Sequence, residues 1–250
     1  MDVSTSAIAA IDSQSCFIDG ILVRGAIQFD QSSLIEDGAC VYGRQGINFD
    51  RDSTVEPGAY IGTLDANNIT YSQGFSSEPE SIVTADLDHP LLDDVPGLID
   101  DIENGTESPD NIDHVVVLND LPASFDPGTA YVINGNVHID KEIQVEDVLI
   151  SVRGDILWGQ KGAIVNATGA CPSGEAAIGI IATGNVHLNQ SARAEGIQLI
   201  TGGNFELDQN SVFSGSAAIN GNAQIDQSPL ISPCEDPFAN PNSDGPRLVM

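Results

Sequence analysis

The chain has 250 residues, with 8 Lys and Arg against 37 Asp and Glu, so its formal net charge is −29. That charge excludes nucleic acid and anionic lipid as partners, since both would be repelled. Hydrophobic residues reach 41% while aromatics are only 5%, and 25 Gly and 13 Pro punctuate the whole length, which indicates a folded, turn-rich, all-β protein.

The opening MDVSTSAIAA lacks the basic and apolar regions of a signal peptide, and no apolar run is long enough to span a membrane. Met1 before an acidic residue reads as a chain trimmed downstream of a signal or anchor. Cys16 and Cys40 lie towards one end, Cys171 and Cys234 towards the other. Their even number suits two disulfides in an oxidising compartment, with free buried thiols as the alternative. No CxxC occurs, and His89, His114, His138 and His187 are far from the cysteines in sequence, which argues against a zinc–thiolate site.

A phrase recurs along the chain: GAIQFDQ, GINFDR, GNVHIDK, GNVHLNQ, GNFELDQ and GNAQIDQ. Its Asp/Asn markers are Asp30, Asp50, Asp140, Asn189, Asp208 and Asp226, separated by 20, 90, 49, 19 and 18 residues. The gap of 49 holds one further turn through Ile156 and Trp158, then a longer turn with an insertion around ATGACPSGEA. A period of about 19 with alternating apolar residues predicts a parallel β-helix, in which each turn lays three short strands that need stacked neighbours to bury their inward side. An ordinary β-sandwich is the alternative. In this phase Ile27/Phe29, Ile47/Phe49, Val137/Ile139, Ile156/Trp158, Val186/Leu188 and Phe205/Leu207 point inward. Gln28, Asn48, His138, Leu157, His187 and Glu206 point outward. The phrase Gly and Asn/Asp are expected at corners with positive φ.

Residues 72–113 break the pattern with twelve acidic residues and no Lys or Arg. Within this insertion Leu91, Leu92, Val95, Leu98, Ile99 and Ile102 fall at helical spacing, with Pro96 tolerable in a first turn, which predicts a short flanking helix. The organisation expected is a single domain: solenoid turns over 1–71, the acidic insertion over 72–113, the main turns over 114–228, and a cap and tail over 229–250.

Equivalent positions of successive turns lie about 4.8 Å apart. Asp30 above Asp50, and Asp208 above Asp226, are therefore candidate calcium ligands, with turn capping as the blander role. No other cofactor is implied. The pairs Asp93/Asp94 and Asp100/Asp101 sit in the helical insertion and not on a regular sheet face. No nucleophile elbow, P-loop or HExxH is present, so no catalytic residue is assigned and a polysaccharide-cleaving solenoid enzyme is not expected.

Several stretches, namely SQSCFIDG, ACVYGRQGINFDRDSTVEPGA, LLDDVPGLIDDI, TAYVINGNVHI, VLISVRGDILWG and CPSGEAAIGIIATGNVHLNQ up to Cys234, resemble the extracellular part of TadE/TadG-like proteins of the bacterial Tad (Flp) pilus-assembly system. The resemblance implies a non-catalytic, envelope-associated accessory, located extracellularly, on the cell surface or in the periplasm. Its partner would be a protein such as a pilus subunit or assembly component, with membrane contact only through an anchor that this chain lacks. The alternatives are a self-polymerising scaffold of bactofilin type and a solenoid ice-binding protein. Known ice-binders also combine parallel coils with a flanking helix, but the outward row of Gln, Asn, His and Glu lacks the Thr or Ser expected of an ice face.

Overall fold

The computed structural model describes residues 20–72, 74, 76–77, 82–106, 112–168, 178–227 and 229–232. Cys16, Cys171, Cys234 and the ATGACPSGEA insertion beyond Thr168 lie outside them. Cys40 is buried and disulfide-bonded.

The strands form a parallel β-helix with three faces. The first runs, in spatial order, β10 (Ile82–Thr84), β7 (Tyr60–Thr63), β4 (Cys40–Gly43), β1 (Gly20–Val23), β22 (Val212–Ile219), β20 (Arg193–Thr201), β18 (Ile178–Ala182), β15 (Val148–Arg153), β12 (Thr129–Asn134) and β11 (His114–Leu118). The second runs β13 (Val137–Ile139), β16 (Ile156–Trp158), β19 (Val186–Leu188), β21 (Phe205–Leu207), β23 (Ala223–Ile225), β2 (Ala26–Phe29), β5 (Gly46–Phe49) and β8 (Ile69–Tyr71). The third face is built from β14 (Glu142–Val145), β17 (Ala163–Asn166), the starts of β20 and β22, then β24 (Leu230–Ser232), β3 (Leu34–Ile35), β6 (Thr54–Val55) and β9 (Ser76–Ser77). Gly196 (φ 68) and Gly215 (φ 131) take backbone conformations that L side chains resist, and they let β20 and β22 bend from the third face into the first.

Spatial order departs from chain order. The N-terminal coils do not begin the stack; they dock on the last one, through β1–β22, β2–β23 and β24–β3, all parallel. Solenoid pairing also runs further than the sequence boundaries implied, because β9 and β10 pair with β6 and β7, and β24 joins β22 to β3.

The predicted inward residues are all buried. They stack by kind: the Phe29 and Phe49 rings lie 4.8 Å apart and nearly parallel, and Tyr71 continues the pile at 5.9 Å. At the other end Leu118, Leu121 and Phe125 pack over the core. A second ladder holds one corner. Asn136, Asp155, Asn185, Asn204 and Asn222 each accept, through Oδ1, the backbone N–H of the neighbouring coil, ending at Ala26, with distances of 2.7–2.9 Å. The phrase glycines serve this corner more by closeness than by dihedral. Only Gly46 and Gly135 have positive φ, whereas a Cβ on Gly25 or Gly221 would strike the Asn222 or Asn204 side chain.

The insertion forms helix α1 (Val95–Asn104), capped by Asp94, whose carboxylate accepts the Gly97 N–H, and closed by left-handed Gly105. It buries Val95, Ile99 and Ile102 against the outer side of the first face, where Leu22, Tyr42, Val132, Leu149, Ile181 and Ile200 form a second apolar layer. The middle of that face is therefore covered on both sides, which explains continuous apolar strands such as VLISV, whereas Val115, Val116 and Val117 of β11 stay exposed at its end. Arginines fasten the acidic segment: Arg24 to Asp88 and Asp93, Arg44 to Asp86, and Arg153 to Asp100 and Glu103, at 2.5–2.9 Å. His89 is buried under this clamp, and desolvation, with Arg24 adding to it, lowers its pKa to about 4.

Two outcomes follow. Replacing Phe49 by Ala opens the aromatic pile and should cost about 3–5 kcal/mol in denaturant unfolding. Because His89 is neutral in the fold and titrates near 6.5 when unfolded, the unfolded chain binds the extra proton between those values. Stability should thus fall as pH drops from 6.5 towards 4, and His89→Gln should flatten that part of a melting-temperature profile.

Candidate functional site

The junction of the first and last coils concentrates polar chemistry that the linear sequence scatters. The marker residue follows each strand of the second face, so Asp208, Asp226, Asp30 and Asp50 occupy four successive coils, as the backbone bonds Asp226 N–H to Leu207, Asp30 N–H to Ile225 and Asp50 N–H to Phe29 require. The two expected carboxylate pairs are one continuous row. None of the four has positive φ; the left-handed residues come two positions later, at Ser32, Asp52 and Asn210. Nor do these carboxylates cap the turns, a task that the Asn ladder performs at the opposite corner. Their recorded side-chain donors are instead Gln28 to Asp30, Gln224 to Asp226 and Ser72 to Asp50. Partial burial, then hydrogen bonding with Asp226 and its charge, raise the Asp30 pKa above the ordinary carboxylate value.

Beside this row, the outward residues of the second face run His138, Leu157, His187, Glu206, Gln224, Gln28, Asn48 and Thr70. Thr70 donates to Asn48 and Asn48 to Gln28, each at 2.6 Å. Together with Asn204 and Asn222 they line a shallow groove of about 690 Å³. His138 and His187 are separated by the β16 coil, as their two-turn spacing implies. His138 Nε2 instead meets Asp140 at 3.2 Å. His187 lies 3.1 Å from Asp208 and 3.9 Å from Glu206.

On the other side of the Asp row lies the third face, which the repeat phrase does not reach. Strand register places Val212, Leu230, Leu34 and Thr54 in one outward column, all half-buried by one another. Ser214 stands beside Val212 on the same side of β22. The turn before this column carries a glutamine ladder, Gln190 donating to Gln209 and Gln209 to Gln227 at 3.0 and 3.4 Å. The column is uncharged over these four coils; Arg193 pairs with Val212 at its head, and Glu36 and Glu56 stand beside Leu34 and Thr54. Part of the signal was present in sequence: an apolar or hydroxyl residue follows the marker by four positions at Leu34, Thr54, Val212 and Leu230, although Arg193 does so after Asn189.

The acidic pairs of the insertion are spent on structure. Asp93 binds Arg24, Asp94 caps α1, Asp100 binds Arg153, and Asp101 accepts the Thr106 hydroxyl. Among the described residues, no helix is long and apolar enough to cross a membrane.

No family model matches the chain, and no curated protein does. Several solved structures are similar, among them three ice-binding proteins. An ice-binding protein from an Arctic yeast, studied for its antifreeze activity, is 16% identical, with a TM-score of 0.49 over 96% of this chain and 97% of that one. An ice-binding protein from an Antarctic biological consortium is 13% identical, with a TM-score of 0.47 over 88% of each chain. A third, from the Antarctic ascomycete Antarctomyces psychrotrophicus, is 10% identical, with a TM-score of 0.44 over 89% of this chain and 97% of that one. At these scores the likeness decides nothing about what this chain binds.

The Asp row supplies its own test. A raised folded pKa means that Asp30 is ionised at neutral pH at a cost to stability, and that the fold gains as pH falls towards 3.8. Asp226→Asn should raise the melting temperature at pH 7, and the gain should shrink as the pH approaches 4.

Proposed function

We propose that this protein is a non-catalytic ice-binding module and that it meets ice through the uncharged column of the third face. The observation that carries the reading is the in-register series Val212, Leu230, Leu34 and Thr54, flanked by Ser214 and the glutamine ladder. Parallel strands repeat at about 4.8 Å, close to the repeat of the ice lattice, so each coil offers one methyl-bearing or hydroxyl group per lattice step. Val212 and Thr54 are β-branched and hold one preferred rotamer, which lowers the entropy lost on meeting an ordered surface. Ionised groups would hold water in shells incompatible with a lattice, and the column has none. The charge of −29 lies outside these four positions, with Arg193, Glu36 and Glu56 at their margin, and favours solubility.

This reading places the chain outside the cell, where external ice forms, in agreement with the disulfide at Cys40. It also revises the weight given to the Gln, Asn, His and Glu row, which belongs to a different face. The pilus-accessory role rests on the resemblance alone, and no feature of the described residues selects a protein partner over ice. The amide-lined groove on the second face favours a neutral polyhydroxylated ligand as a second reading, which binding measurements with soluble glycans would detect.

Thermal hysteresis and ice-recrystallisation assays on the purified chain test the main reading. Wild type should restrain ice growth, Leu34→Lys and Thr54→Lys should abolish most of that effect while still folding, and Asn48→Lys in the groove should leave it intact. No restraint of ice growth by the wild type, or equal loss in all three variants, would overturn it.

A further inference from the structure

We propose that His187, Glu206 and Asp208 form a binding site for one divalent transition-metal ion of the zinc type. This site is independent of the ice-binding reading and shares only Asp208 with the all-oxygen Asp row. Parallel register between β19 and β21 sets His187 directly opposite Glu206, and Asp208 follows two residues later at the corner. One ligand atom from each of the three lies within 4.8 Å of the others. His187 Nε2 stands 3.1 Å from Asp208 Oδ2, and Nδ1 stands 3.9 Å from Glu206 Oε2. One ion takes one imidazole nitrogen, so Nε2, already beside Asp208, is the donor, and Glu206 has to swing from the Nδ1 side towards it to reach the roughly 3.3–3.6 Å donor separations of a tetrahedral site.

A second observation points the same way. Nε2 of His187 is shielded from solvent and makes no hydrogen bond, although the Asp208 carboxylate is close. The His187 side chain as a whole is 30% exposed, so an ion can reach the gap between this nitrogen and the carboxylate. The donor set selects the ion: one imidazole and two carboxylates suit borderline metals, whereas calcium takes six to eight oxygens. A fourth position stays open to water. The ion would tie the β19 coil to the β21 coil and offset the charges of Glu206 and Asp208 at the start of the Asp row. His138 lacks this arrangement, since its register neighbour is Leu157 and its recorded ionic partner is Asp140 alone.

Zinc titration by calorimetry on the full chain, after chelator treatment, tests the proposal. One saturable equivalent should bind and raise the melting temperature. His187→Gln and Glu206→Gln, each first shown to melt cooperatively without metal, should each weaken binding roughly tenfold or more, while His138→Gln should leave it unchanged. Absence of saturable binding, or binding that survives both ligand substitutions, would overturn the proposal.

Discussion

The parallel ladder between the first and last coils is the interaction on which the rest depends. By pairing β1, β2 and β3 with β22, β23 and β24, it fuses two stretches of chain whose partners lie 196 positions apart into one sheet system. Without it the aromatic pile of Phe29, Phe49 and Tyr71 would cap an isolated three-coil fragment, and the main coils would end on an open edge at β22 and β23. Such edges invite association, and the docking of the N-terminal coils closes this one within the chain. The same ladder assembles the Asp row and the uncharged column, both of which cross the junction.

Charge is sorted to permit this stacking. The chain carries 37 acidic residues, and stacked like charges at strand spacing repel. Three arginines draw the acidic insertion onto the first face, where α1 covers the outer apolar layer. Neutral amides take four of the five places at the corner that must bond to each following coil, with Asp155 as the exception, since Asn Oδ1 accepts a backbone N–H at little electrostatic cost. The marker carboxylates stack at one outer corner, and Asp30 shows the consequence in its raised pKa.

Much of the fold was legible in the sequence because a solenoid repeats its local chemistry. The inward pairs, the helix and the outward row of the second face all follow from periods of two, 3.6 and about 19. The junction was not legible, because a repeat says which residues are equivalent and not which coils are adjacent. The likeness of GNAQIDQ to GAIQFDQ fits neighbouring coils, but every pair of coils shares it. The third face escaped for a related reason. Its strands are as short as two residues at Leu34–Ile35 and Thr54–Val55, too brief for alternation to register, so the column appears only once strand pairing aligns it. The marker Asp residues were misread as turn caps because the left-handed backbone lies two positions on, at Ser32, Asp52 and Asn210, which no motif singles out.

The most direct test of this account is the junction itself. Nuclear Overhauser contacts between the backbones of residues 27–29 and 223–225 report whether the first coil lies against the last. Strong contacts between Gln28 and Gln224, together with slow amide exchange in both strands, are the result the discontinuous stack predicts. Their absence in a folded sample, with Gln28 contacting only Asn48, would contradict it and dissolve the continuous Asp row and the uncharged column together.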